Sequence, residues 1–150
     1  SFKGAKERGL TTLIDSNGGM DFAKGTLNDL LRISDGVMLD IKAWDKEDHR
    51  KLTGRDNGIV KENLAYLAET KKLEEVRLVL LDHLDNERTL RGVAKVLGEH
   101  IGDVAIKLIS YRPFGVRKDY VDKLKAPTDE RKAELLALAR EMGFRDVIDI

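Results

Sequence analysis

The sequence predicts an α/β fold: a parallel sheet of about four to five strands joined by crossover helices. Three observations carry this. Short aliphatic or β-branched runs alternate along the chain with longer stretches whose apolar residues recur at helical spacing. The changeovers are marked by Gly, Asp, Asn or Thr, the residues that stop helices and make turns. The 150 residues contain no repeat or low-complexity tract, and 41% are hydrophobic, so a single domain spanning 1–150 with a sizeable core is expected. A strand–helix–strand crossover is almost always right-handed and returns to a parallel neighbour. A complete eight-unit barrel needs about 250 residues, which leaves a doubly wound sheet or the larger part of an incomplete barrel. The first stretch is helical with no strand before it, and this favours the barrel cut open.

Residues 1–8 read as the last turns of a helix stopped by Gly9. Residues 11–15 read as a strand ending in the turn Ser16-Asn17-Gly18-Gly19. Leu27, Leu30, Leu31 and Ile33 form a helical stripe ending near Ser34, and residues 37–42 a second strand entered from Asp35-Gly36. Residues 45–52 are a short helix with Asp45 as N-cap. A loop over 54–58 precedes the stripe Val60, Leu64, Leu67, Ala68. Residues 75–81 are a third strand, 87–101 a helix built on Leu90, Val93, Ala94 and Leu97 and closed by Gly102, and 104–111 a fourth strand. An irregular stretch, 112–115, follows. Thr128 caps a helix carrying Leu135, Leu136, Leu138, Ala139 and Met142, which ends at Gly143 before a terminal strand over 146–150.

Composition excludes several function classes. With 27 Lys+Arg against 27 Asp+Glu the formal charge is zero, so neither nucleic acid nor an anionic membrane is a default partner. The chain has no cysteine, hence no disulfide, thiol nucleophile, Cys-bound zinc or iron–sulfur ligand of its own. Apolar runs such as 78–81 are far too short to span a bilayer. The charged first nine residues do not read as a signal peptide. The chain opens on Ser1 rather than Met, and it is expected to be a piece of a longer protein. No phosphate loop, GxGxxG, GxSxG or HExxH motif is present.

In parallel α/β folds the chemistry gathers where the carboxyl ends of the strands converge, and the polar residues here fall at those ends. The strands end or carry Asp15-Ser16, Met38-Leu39-Asp40-Ile41-Lys42, Arg77, and Ser110-Tyr111-Arg112. Asp40 and Lys42 are two apart on a strand and share a face. Charges in an apolar strand are costly unless they pair or bind something, so a purely structural ion pair competes with a binding role. Asp15 equally suits a turn organiser, and Arg77 a snorkelling edge arginine. His49, in a charged helix, reads as solvated or capping, His83 as loop-solvated, and His100 as complementing a helix dipole. Trp44 either floors a pocket or plugs the core.

Taken in order, LIDSNG, DGVMLDIKAWDKEDHRKLTG, EEVRLVLL and IKLISYRPFG resemble the latter part of the glycyl-radical-enzyme activases of the radical S-adenosylmethionine superfamily, the pyruvate formate-lyase activating enzyme type. The resemblance implies a six-strand incomplete TIM-like barrel of which this chain holds strands three to six, without the segment whose CxxxCxxC cysteines hold a 4Fe–4S cluster. By the same resemblance Asp40, Ile41 and Lys42 contact S-adenosylmethionine, with Arg77 facing the site and Arg112 standing where a nucleoside-contacting histidine is found. Asp15, Ser16, Met38 and Asp40 match the site of a monovalent cation. Two departures, Arg112 for histidine and Asp82-His83-Leu84-Asp85-Asn86 for a PG-containing loop, leave the partner enzyme open.

The implied activity is an anaerobic, cytoplasmic oxidoreductase reaction. A flavodoxin- or ferredoxin-type reductant feeds the cluster, S-adenosylmethionine is cleaved, and a glycine of a partner glycyl radical enzyme loses hydrogen. The chain alone, lacking the cluster ligands, is expected to be inactive, and to pair as a dimer through its truncated sheet edge. Two alternatives stand beside this. Asp40-Ile41-Lys42-Ala43-Trp44-Asp45 also fits the DxKxxD of orotidine-phosphate-decarboxylase-like barrels, though the late loop 112–115 is poor for gripping phosphate. The third reading is a non-catalytic α/β binding module.

Overall fold

The computed structural model describes residues 13–16, 21–53, 57–111 and 125–150. The helix expected over 1–8, the turn from Asn17 to Gly19, and the stretch 112–115 with Arg112 lie outside the described residues. Among the described residues, the strands β1 (Leu13–Ser16), β2 (Gly36–Ile41), β3 (Leu73–Leu80), β4 (Ala105–Ser110) and β5 (Asp146–Asp149) form one sheet. All pairs are parallel, and spatial order follows chain order, β1-β2-β3-β4-β5. A doubly wound sheet reverses its strand order at a switch point, and this sheet does not. Right-handed crossovers that always step the same way leave every connecting helix on one face. The sheet is therefore singly wound, as in a segment of a barrel.

Among the described residues five α-helices make or follow these crossovers: α1 (Gly25–Ile33), α2 (Lys46–Thr53), α3 (Gly58–Glu69), α4 (Asn86–Leu97) and α5 (Asp129–Met142). α3 packs on α4, and α4 on α5. Val37, Leu39 and Ile41 of β2, Val76, Leu78 and Leu80 of β3, and Ile106 and Leu108 of β4 are buried in one core cluster. Leu64, Leu67, Leu90, Val93, Leu97 and Leu135 of the helices complete it. These strand residues alternate in sequence, so they share the helix-covered face. Each such aliphatic side chain contributes about 1.5–3 kcal/mol when fully buried.

The predicted caps are formed. Asp45 accepts from the backbone N–H of Glu47 and Asp48 at 3.0 and 3.1 Å. Thr128 accepts from Arg131 N at 3.2 Å, and Gly143 ends α5 with φ at 96°. The helix expected over 87–101 ends earlier. Gly98 takes φ 51°, and a 3-10 turn covers Gly98–Asp103. A positive φ cannot continue a right-handed helix, and only glycine adopts it without a Cβ clash. Ile33, expected in the apolar stripe of α1, is instead 37% exposed, because the helix ends on it.

Between β2 and β3 the register slips: Val37 pairs with Leu73, but Met38 pairs with Glu75. Gly36 sits at this bulge, and a Cβ there would lie 3.2 Å from Glu74 Cβ and from Lys72 O. Beyond it the ladder is regular and sets Asp40 beside Arg77 and Arg77 beside Lys107.

Candidate functional site

The face of the sheet away from the helices is half-exposed, and it carries the charges. Met38, Asp40 and Lys42 alternate with the buried Val37, Leu39 and Ile41. Arg77 lies across from Asp40 in register. Its guanidinium bridges two strands: Nε donates to Asp40 Oδ1 at 2.7 Å, and Nη2 donates to Asp15 Oδ1. Lys42 Nζ stands 3.9 Å from Asp40 Oδ2. Asp15, Arg77, Asp40 and Lys42 thus form one continuous line of alternating charge across β1, β3 and β2.

Two carboxylates on one guanidinium is a planar fork geometry that arginine can hold and lysine cannot. Burial works against the charge on Arg77, but its hydrogen bond to Asp15 and the charges of both aspartates outweigh it and raise its pKa above the ordinary value. Arg77 is therefore a fixed positive centre holding two carboxylates at set positions. Each aspartate keeps lone pairs free, and the Lys42 ammonium, farther from its partner than a hydrogen bond, keeps its donors. Such a line can hold a ligand that carries both signs of charge.

Other predicted residues are placed as follows. Ile41 is 2% exposed in the core on the opposite face, so only its main chain can face a ligand. Ser16 ends β1 opposite Leu39. A cation beside Asp15, Ser16, Met38 and Asp40 would compete with Arg77 for both carboxylates. Among the described residues no three His, Cys, Asp or Glu side chains gather as a metal-binding group. Asp45 is occupied: it caps α2, and its Oδ2 pairs with Arg88 at 3.1 Å. It does not join Asp40 and Lys42 in a three-membered proton-transfer array.

Trp44 is a core plug rather than a pocket floor. It packs against the hydrophobic cluster, its main-chain N–H donates to Thr89 Oγ1 at 3.3 Å, and Lys61 Nζ lies 4.4 Å from its ring centroid. His49 is not solvated as its neighbours suggest. It is 5% exposed, with Nδ1 3.2 Å from Thr53 Oγ1. His83 is exposed in its loop. A cavity of about 230 Å³ lined by Asn28, Leu31, Arg32, Tyr66, Thr70 and Lys72 contains none of the site residues.

Two polar residues of this face escaped the sequence reading, Glu75 and Lys107. Lys107 is in register with Arg77, and its Nζ lies 3.6 Å from Glu75 Oε1. The signal was available: Glu75 and Arg77 share the two-residue spacing of Asp40 and Lys42, and Lys107 stands alone in the aliphatic AIKLIS.

No family model matches the chain. Over 155 residues it is 27% identical to the pyruvate formate-lyase 1-activating enzyme of Escherichia coli K12, covering 96% of this chain and 62% of that protein. A protein of Haemophilus influenzae provisionally named a glycyl-radical enzyme activating enzyme is 28% identical over 170 residues, covering 99% of this chain and 64% of that protein. The chain is a relative of the glycyl-radical-enzyme activating enzymes. The choline trimethylamine-lyase activating enzyme of Oleidesulfovibrio alaskensis adds 30% identity over 118 residues, 75% of this chain and 37% of that protein. In three dimensions the chain matches the crystal structure of a domain of pyruvate-formate lyase-activating enzyme from Bacteroides vulgatus, with a TM-score of 0.75 at 17% identity over 98% of this chain and 86% of that one. The fold is that of the activating-enzyme domain. The chain spans a little under two thirds of the first two activating enzymes, 64% and 62% of their lengths.

Proposed function

We propose that these 150 residues form one α/β domain, the latter part of a radical S-adenosylmethionine activase that generates a glycyl radical on a partner enzyme. The observation that supports this best is the charged line Asp15–Arg77–Asp40–Lys42. Its members come from LIDSNG, VMLDIK and EEVRLVLL, three segments that the resemblance to activases rests on. S-adenosylmethionine carries a carboxylate, an ammonium, a sulfonium and a nucleoside, and an alternating line suits that mixture. When bound, it supplies the group that abstracts hydrogen. The residues here bind and orient it. Asp40 and Asp15, both bonded to Arg77, would supply negative charge to balance the sulfonium, and Lys42 and, by the resemblance, Arg112 would fix the nucleoside. A monovalent cation at Asp15, Ser16, Met38 and Asp40 belongs to the same reading, at the expense of Arg77's bonds.

A 4Fe–4S cluster does not fit this chain alone, which has no cysteine. In this reading the ligands come from elsewhere in the polypeptide, the reductant is of the flavodoxin or ferredoxin type, and the enzyme is cytoplasmic. No helix among the described residues is long and apolar enough to cross a membrane.

The test has two arms. The coding region before Ser1 is expected to encode CxxxCxxC within about one hundred residues, the span of the missing strands by fold analogy. The polypeptide of natural length, loaded with its cluster, should cleave S-adenosylmethionine on reduction, and the 150 residues alone should not. Absence of the motif, or turnover by the 150 residues alone, overturns the reading.

A further inference from the structure

The cavity between α1, the end of α3 and the start of β3 lies on the helix-covered layer, at the amino ends of the strands and away from the charged line. Three of its lining residues carry donors that nothing among the described residues accepts. Asn28 Nδ2 donates to Phe22 O at 3.2 Å and to Tyr66 Oη at 2.7 Å. A carbonyl oxygen can only accept, so the first bond fixes which end of the amide is Nδ2. Tyr66 Oη is then the acceptor of the second bond, and the hydroxyl's own proton is left without a partner among the described residues. Arg32, in the last turn of α1, forms no ion pair among them, not even with Asp29 one turn before it. Lys72 Nζ uses one N–H on Ser34 O at 2.6 Å and has two more. Among the described residues no carboxylate lines the cavity to balance the two cations.

A guanidinium, an ammonium and a phenol hydroxyl thus surround one space from three different elements, and each lacks an acceptor. The complement is a compact anion with an oxygen for each of them. A phosphoryl group has three acceptor oxygens and up to two negative charges, whereas a carboxylate has two oxygens in one plane. The volume, about 230 Å³, is below the roughly 300–1,000 Å³ of clefts that take drug-sized ligands, so the ligand is small. Leu31 and the Tyr66 ring give it an apolar wall. We propose that this cavity binds a phosphoryl group, of inorganic phosphate or of a small phosphomonoester, between Arg32, Tyr66 and Lys72. The site goes beyond the activase reading and does not depend on it. A ligand held by all three residues ties α1 to α3 and β3, and so stabilises the folded chain by mass action.

The test measures binding of inorganic phosphate, phenyl phosphate and acetate to the polypeptide of natural length, by calorimetry at fixed ionic strength. Phosphate is expected to bind saturably, and acetate more weakly. Arg32→Gln should weaken phosphate binding about tenfold, the worth of a charge-assisted hydrogen bond, and should melt as the natural protein does when phosphate is absent. Tyr66→Phe, which removes only the hydroxyl, should weaken it severalfold. Arg140→Gln removes the same charge from an exposed place on α5 and should leave binding unchanged. Tighter binding of phenyl phosphate than of inorganic phosphate assigns the site to a phosphomonoester, and the reverse order to free phosphate; both support it. The proposal is overturned by the absence of saturable phosphate binding, or by equal binding in the natural protein and Arg32→Gln. A loss that Arg140→Gln reproduces, or acetate bound as tightly as phosphate, overturns it as well.

Discussion

Arg77 joins residues that are 62 and 37 positions away in the chain, Asp15 and Asp40, on the two neighbouring strands β1 and β2. Replacing it with methionine leaves Asp40 without its donor in a half-buried place. Arg77→Met is expected to lower stability by about 1–3 kcal/mol, read as a shift in urea midpoint at constant slope. Arg77→Lys should recover only part of this, because an ammonium cannot span both carboxylates with a planar fork. Asp45 supplies a pH dependence. The N–H of Asp48 is the main cause that holds its carboxyl below the ordinary aspartate range; desolvation, next in size, opposes it, and Glu47 and Arg88 tip the balance downward. The stability it confers is complete above the unfolded pKa of about 4 and is lost as pH falls through the lower native value. Asp45→Asn keeps the cap and does not titrate, so its acid unfolding curve should be flatter on that limb. At this scale the sequence reveals that Asp40 and Lys42 share a face, because a strand alternates with period two. It does not reveal that Arg77 bridges Asp15 and Asp40, which depends on register across three strands. Nor does it reveal the burial of His49, since α2 is charged on all sides except where it meets the core.

Among elements, α4 approaches the segment leaving β2 closely at Gly92. A Cβ on Gly92 would overlap the Trp44 indole at Cε2 and Nε1. Trp44 is two residues after Lys42, and its carbonyl and that of Ala43 accept from Asn57 Nδ2 at 2.8 and 3.3 Å. Gly92→Ala must displace the indole, and overpacking of this kind costs about 1–3 kcal/mol. The expected outcome is a lower melting temperature accompanied by a change in tryptophan fluorescence. An unchanged emission spectrum and melting temperature would contradict the packing described. At the other end of the sheet, Thr128→Ala should cost about 1 kcal/mol through loss of the α5 cap. Helix starts and stops with a side-chain or αL signature, such as Thr128 and Gly143, were readable from local chemistry. Gly98 was not, because a glycine inside an apolar stripe can continue a helix at modest cost or break it, and only the packing of α4 against the 3-10 turn decides which.

For the whole molecule, alternation of runs predicts a parallel α/β sheet, and strand order then separates the barrel segment from the doubly wound alternative, a distinction that no local pattern carries. Among the described residues β1 and β5 are the sheet's edges. The 150 residues alone are expected to associate through the β1 edge, and sedimentation should find a dimer that dissociates when β1 carries a proline at Leu13. A monomer at all concentrations would contradict this. We propose that the line through Asp40 and Lys42 holds S-adenosylmethionine. Its most direct test is equilibrium binding of S-adenosylmethionine to the polypeptide of natural length, to Asp40→Asn and to Lys42→Met, with Glu74→Gln, whose carboxylate pairs with Arg145 away from the line, as control. Each of the first two variants should weaken binding about tenfold or more, and the control should bind as the natural protein does. Equal affinity in all four proteins would contradict the claim.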